Sequence, residues 1–138
     1  MECKVKWIDG GMSFPAETGS NHAFVMDGAP DAGGRNLAPR PMEMLLAGTG
    51  GCTAFDVVEI LKKRRHAITG CAVSLQERAE TEPKVSARIH FHFRISGKQL
   101  KPDAVARAIT LSKDKYCSAS IMLGKTALIT HDLEIVED

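Results

Sequence analysis

What this sequence has least of is net charge: 18 lysines and arginines against 17 aspartates and glutamates leave +1 at neutral pH. A chain so balanced carries no field to gather nucleic acid or an acidic membrane, and neither is expected as a partner. Long apolar runs are lacking too, since no stretch reads as the roughly 18 apolar residues that span a bilayer. The start, Met1-Glu2-Cys3-Lys4-Val5-Lys6, has no apolar region of the kind that heads a secretory signal, so the expected compartment is the reducing cytosol. Cys-x-x-Cys, His-Glu-x-x-His, the phosphate-binding loop and the dinucleotide fingerprint are all absent, and the glycine pairs at 10–11, 33–34 and 50–51 match none of them. No cofactor is expected. Internal repeats and low-complexity tracts are missing as well, which leaves one α+β domain over residues 1–138.

What is present begins with four cysteines. A chain of 138 residues, 43% of them apolar, holds a core without disulfide staples. In a reducing compartment such thiols point to redox chemistry, metal binding or packing. The clearest periodicity sets Val85, Ala87, Ile89, Phe91, Phe93 and Ile95 against Ser86, Arg88, His90, His92, Arg94 and Ser96, a strand with one dry face. Cys71, Val73 and Leu75 alternate likewise, and Glu82-Pro83-Lys84 marks the turn of a hairpin. Strands are also expected at Cys3 to Trp7, around Phe24 and Met26, and from Lys125 to Val136. Three helices follow from composition and caps: Pro41 to about Arg65, apolar almost throughout and therefore expected to be buried; Pro102 to Lys115, amphipathic; and Ser118 to Leu123, stopped by Gly124. The glycine-rich stretch from Asp27 to Arg40 is a long loop of the kind that carries function.

Several positions bear chemistry. Gly48, Gly50 and Gly51 precede Cys52 inside a helix, where each costs about 1 kcal/mol relative to alanine. Either the helix is continuous and the glycines admit another backbone, or it breaks and Cys52 opens a new helix whose dipole acidifies the thiol. Cys52 as a small buried hydrophobe is the third reading. Cys117 lies at a helix junction after Lys113 and Lys115, cations that would favour its thiolate. Cys3 and Cys71 fall on the apolar faces of strands and read as packing residues. His90 and His92 share a strand face and could clip a metal, but the sequence offers no third ligand, so no metal site is assigned.

The run Pro41-Met42-Glu43-Met44-Leu45-Leu46-Ala47-Gly48-Thr49-Gly50-Gly51-Cys52, with Cys117 in Tyr116-Cys117-Ser118 65 positions after Cys52, resembles the signature of the OsmC/Ohr proteins, most closely their small bacterial YhfA-type branch. The resemblance implies an intertwined homodimer in which antiparallel sheets wrap long central helices, with sites at the subunit interface. It also implies that Cys52 attacks an organic hydroperoxide, that Cys117 resolves the sulfenic acid into a disulfide, and that a dithiol reductant restores both thiols. In the family's peroxidases a glutamate directly follows the helix-starting proline and partners an arginine. Here Met42 takes that place, Glu43 comes one residue late, and the first arginines are Arg35 and Arg40. Glu43 is thus the candidate acid, and Met42, Leu46, Arg35 and Arg40 the candidate pocket. The rival reading is a non-catalytic protein that holds a small apolar molecule at the dimer interface.

Overall fold

A computed structural model describes all 138 residues as two compact units, Met1–Leu45 and Leu46–Asp138. The first is an antiparallel meander of β1 (Cys3–Val5), β2 (Phe14–Thr18) and β3 (Ala23–Met26), in that order. β1 is too short and too peripheral to bury anything. Cys3, expected to pack, is exposed with all its neighbours in that strand, which corrects the sequence reading. The stretch after β3 contains a 3-10 turn at Pro30–Ala32 and is organised by Asp27. That carboxylate is buried and accepts the backbone N–H groups of Gly28 (2.7 Å), Leu37 (3.1 Å) and Arg35 (3.3 Å). The bond from Leu37, then that from Gly28, holds Asp27 below its ordinary carboxylate range, against the opposing effect of burial.

The helix α1 (Pro41–Lys63) is unbroken, so the glycines do not interrupt it. It is followed by the second sheet, β4 (Ala67–Ala79), β5 (Ser86–Lys98) and β6 (Leu128–Glu137). β4 and β5 form the expected antiparallel hairpin, with Val73 opposite Phe93 and Leu75 opposite Phe91. β6 runs parallel to β5, which corrects the expectation of purely antiparallel sheets. The reason lies in the connection: α2 (Pro102–Leu111), a π-helical turn (Ser112–Tyr116) and α3 (Ser118–Leu123) separate the two strands, the long crossover a parallel pair requires. The helix anticipated to reach Lys115 thus widens out of α-geometry after Leu111.

Ile89, Phe91, Phe93 and Ile95 of β5 meet Val57 and Leu61 of α1 and Val105, Ala108 and Ile109 of α2 in one buried cluster. The inward stripe of α1, Thr49, Gly50, Thr53, Val57 and Leu61, follows the helical period. Gly50 has a packing reason, because a Cβ there would lie 2.7 Å from Leu75 Cδ1. Gly48 and Gly51 have none within the chain, since both face open space. The outward side of α1 is apolar and uncovered: Phe55 keeps 68% of its surface and Met42 51%. That helix was expected to be buried, and only one stripe of it is. By length and composition α1 is also apolar enough to cross a membrane, which the sequence reading had denied to every segment. Its inner stripe, however, belongs to the core of the second unit.

Candidate active site

A 23-residue helix presents side chains four apart on one face, and Cys52 and Asp56 are such a pair on the flank of α1, both half-buried. The third member comes from the connection between β5 and β6. Ser112 to Tyr116 form a π-turn, a rare element that concentrates at functional sites, and its end is fixed by a bond from Cys117 N–H to the Ser112 carbonyl at 2.8 Å. This seats Cys117 at the N-cap of α3 with no exposed surface. The two Sγ atoms and an Asp56 carboxylate oxygen then all lie within 4.8 Å of one another. All four cysteines are free thiols.

Two of the three partners in this cluster, Asp56 and Cys117, are held from behind. Ser112 Oγ, itself buried, donates to Asp56 Oδ2 at 2.9 Å and lies 2.9 Å from Thr53 Oγ1. A carboxylate only accepts, so the single Ser112 proton points to Asp56 and Thr53 must donate to Ser112. The chain therefore runs in one direction, Thr53 to Ser112 to Asp56. Cys117 Sγ accepts from Ser120 Oγ at 3.1 Å and from Ser120 N–H at 3.4 Å. Burial pushes the Cys117 thiol above its ordinary pKa and the neighbouring Cys52 sulfur pushes the same way, while the two Ser120 donors pull it down. The lysines expected to favour a Cys117 thiolate are engaged elsewhere, Lys113 with Asp114 at 3.6 Å and Lys115 over the Tyr116 ring at 5.6 Å.

The other sequence candidates divide. Glu43 caps α1: its Oε2 accepts the Arg40 N–H at 2.9 Å and its Oε1 pairs with the Arg40 guanidinium at 3.3 Å. The backbone bond from Arg40 is the main cause of its depressed pKa. Arg35 donates to the Gly10 carbonyl. These three residues and the exposed Met42 belong to the first unit and the thiols to the second. Leu46 is packed against the core cluster. Cys71 is half-buried against the same cluster, as expected, and burial raises its thiol pKa.

His90 and His92 share Asp132 Oδ1, at 3.0 and 2.9 Å, on the exposed face of the second sheet. The bond from His92 leads the causes that depress Asp132. The sequence showed no third group beside these histidines because Asp132 arrives through the β5–β6 register, where it stands opposite His92. Asp56, Thr53, Ser112 and Ser120 were also missed. For Asp56 the i, i+4 spacing from Cys52 was a usable signal, and for Ser120 the i, i+3 spacing from the capping Cys117.

Comparisons with known proteins place the chain among relatives of the same fold. The family model "OsmC-like protein" matches residues 33–132. Protein YhfA of Escherichia coli is 46% identical over 137 residues, covering 99% of this chain and 98% of the relative. A hypothetical protein from Aquifex aeolicus superposes with TM-score 0.84 at 25% identity, covering 99% of this chain and 96% of the other. The organic hydroperoxide resistance protein OhrB of Bacillus subtilis shares the fold with TM-score 0.61 at 15% identity, covering 97% and 98%.

Proposed function

This chain belongs to the OsmC-like protein family, and from that membership we propose that it is a homodimeric, cytosolic thiol redox protein that reduces organic hydroperoxides through Cys52 and Cys117. One observation carries the reading: two free thiols from α1 and from the α3 cap meet within 4.8 Å. Support comes from a relative in fold, the organic hydroperoxide resistance protein OhrB of Bacillus subtilis.

Exposure divides the roles. Cys52, half-buried, is the attacking sulfur, and Cys117, sealed from solvent and held protonated by burial, is the resolving one. The Cys52 thiolate attacks the terminal peroxide oxygen, the O–O bond breaks, the alkoxide takes a proton from water and leaves as the alcohol, and Cys52 becomes a sulfenic acid. The Cys117 sulfur then attacks Cys52 Sγ, the hydroxyl departs as water with the Cys117 proton, and a disulfide forms. The sulfurs close from within 4.8 Å to a bond of about 2.05 Å. An external dithiol restores both thiols by exchange.

Dimerisation draws support from the uncovered side of α1. Gly48 and Gly51 face open space, and Gly51, Ala54, Phe55 and Val58 with Cys71 line an apolar groove of about 480 Å³. The same groove favours the second reading, a non-catalytic binder of a small apolar molecule. Thiol counting after stoichiometric cumene hydroperoxide separates the two. Loss of two thiols per chain, abolished in Cys52→Ser, is the expected result; retention of all four thiols, with ligand binding unchanged in Cys52→Ser, would replace the redox reading by the binder.

A further inference from the structure

We propose that Cys52, Asp56 and Cys117 form a binding site for a thiophilic divalent cation of the zinc class. Two sulfurs and a carboxylate oxygen are a donor set such cations take, and three protein ligands with a fourth position left to water or a small molecule is the arrangement of reactive zinc centres. With metal–sulfur bonds of about 2.3 Å, tetrahedral geometry needs sulfurs about 3.8 Å apart. The three donor atoms already lie within 4.8 Å of one another, so bringing the two sulfurs onto a cation takes at most about 1 Å.

The surroundings match what ligands of a bound metal require. Ligating groups are oriented by outer hydrogen bonds, and here two of the three have them. Ser112 Oγ holds one Asp56 oxygen at 2.9 Å and leaves the other free to coordinate. Ser120 gives Cys117 Sγ two donors, at 3.1 and 3.4 Å, as a metal-bound thiolate accepts. The ligands sit on rigid supports, a continuous helix and a π-turn pinned by its own backbone bond. Binding balances as one M²⁺ taken up and two thiol protons released to solvent, giving two thiolates and a carboxylate around the cation. The histidine cluster is a poorer site, because one exposed oxygen, Asp132 Oδ1, already occupies the space between the two imidazoles.

The test is an anaerobic titration of the reduced full-length protein with Co²⁺, without hydroperoxide. The expected result is one equivalent per chain with thiolate-to-cobalt charge-transfer absorption and tetrahedral d–d bands, displaced by Zn²⁺. Cys52→Ser and Cys117→Ser should lose the charge-transfer bands, Ser112→Ala should bind roughly 10–100-fold more weakly, and His92→Ala should bind as the natural chain does. A readout that needs no variant is alkylation mapping: Zn²⁺ should shield the half-buried Cys52 and leave the exposed Cys3 reactive. Absence of the bands, bands intact in Cys52→Ser, loss of binding in His92→Ala, or a Cys52 left unshielded by Zn²⁺ would each overturn the proposal. The two readings fail separately, since cobalt binding is read before any oxidant and thiol loss is read without metal.

Discussion

Ser112 ties the two sides of the site together, and replacing it with alanine is the sharpest test of how the site is built. The substitution removes the bond to Asp56 Oδ2 and the acceptor of Thr53 Oγ1, both 2.9 Å. A hydrogen bond to a charged acceptor is worth about 1.5–3 kcal/mol, and the lower end applies because Asp56 is half-exposed. Thr53 is fully buried, so its stranded hydroxyl adds about 1–3 kcal/mol. Together these give roughly 2.5–4.5 kcal/mol, or a fall in Tm of about 8–18 °C for a chain of this size. Urea unfolding of the reduced protein at pH 7, followed by circular dichroism, measures it. Thr53→Val removes the hydroxyl that Ser112→Ala strands, so the double variant should cost less than the sum of the singles by about 1–2 kcal/mol. A cost below about 0.5 kcal/mol for Ser112→Ala, or strict additivity in the cycle, would show that the directional chain from Thr53 to Asp56 does not exist.

The thiols give a pH dependence. Burial raises Cys117 and Cys71, so their stabilisation is whole below the unfolded thiol value of about 8.5 and declines as pH rises from there toward the folded values; urea midpoints from pH 7 to 10 should fall, and flatten when both residues are replaced by serine. At the acid end the depressed Asp27 and Asp132 contribute above about 3.9 and lose that contribution as pH falls through their folded values, which midpoints from pH 6 to 2 would show. Gly50→Ala gains about 1 kcal/mol of helix propensity but drives its Cβ to 2.7 Å from Leu75 Cδ1, for a net change from near zero to a loss of about 2 kcal/mol, and Leu75→Ala should turn it into a gain. Phe55→Glu places a charge on the exposed apolar side of α1 and should yield monomers in sedimentation velocity while leaving helix content unchanged.

Elements whose burial is periodic were legible in the sequence. The alternation from 85 to 96 became β5, Glu82-Pro83-Lys84 turned the hairpin, and the apolar run after Pro41 became α1. β2 escaped because Pro15 sits inside it, and proline in a central strand argues against a strand. The direction of β6 escaped because its side-chain pattern is the same parallel or antiparallel; only the crossover decides. The glycines before Cys52 could be noticed but not sorted, since Gly50 answers to Leu75 on β4 whereas Gly48 and Gly51 face open space. At the site, the contexts of Cys52 and Cys117 singled out the two thiols that the fold brings together, but Ser112 carries no local signal. Its role depends on a π-turn that places it against Thr53, 59 residues away along the chain.

The two chemistries assigned to Cys52 and Cys117 compete for the same electron pairs. A sulfur that has given its lone pair to a cation is not free to attack a peroxide oxygen, and a disulfide has no thiolate to give a cation. Asp56 is what distinguishes the two uses. It has no part in forming or breaking the S–O or S–S bonds of the redox cycle, yet Thr53 and Ser112 orient it toward the sulfurs through two bonds of 2.9 Å. Redox chemistry alone asks only that the sulfurs meet, which the helix and the π-turn already accomplish. The carboxylate and its support gain a purpose when something positive sits between the three groups, so removing Asp56 should separate the two activities, with cation binding lost and disulfide formation retained.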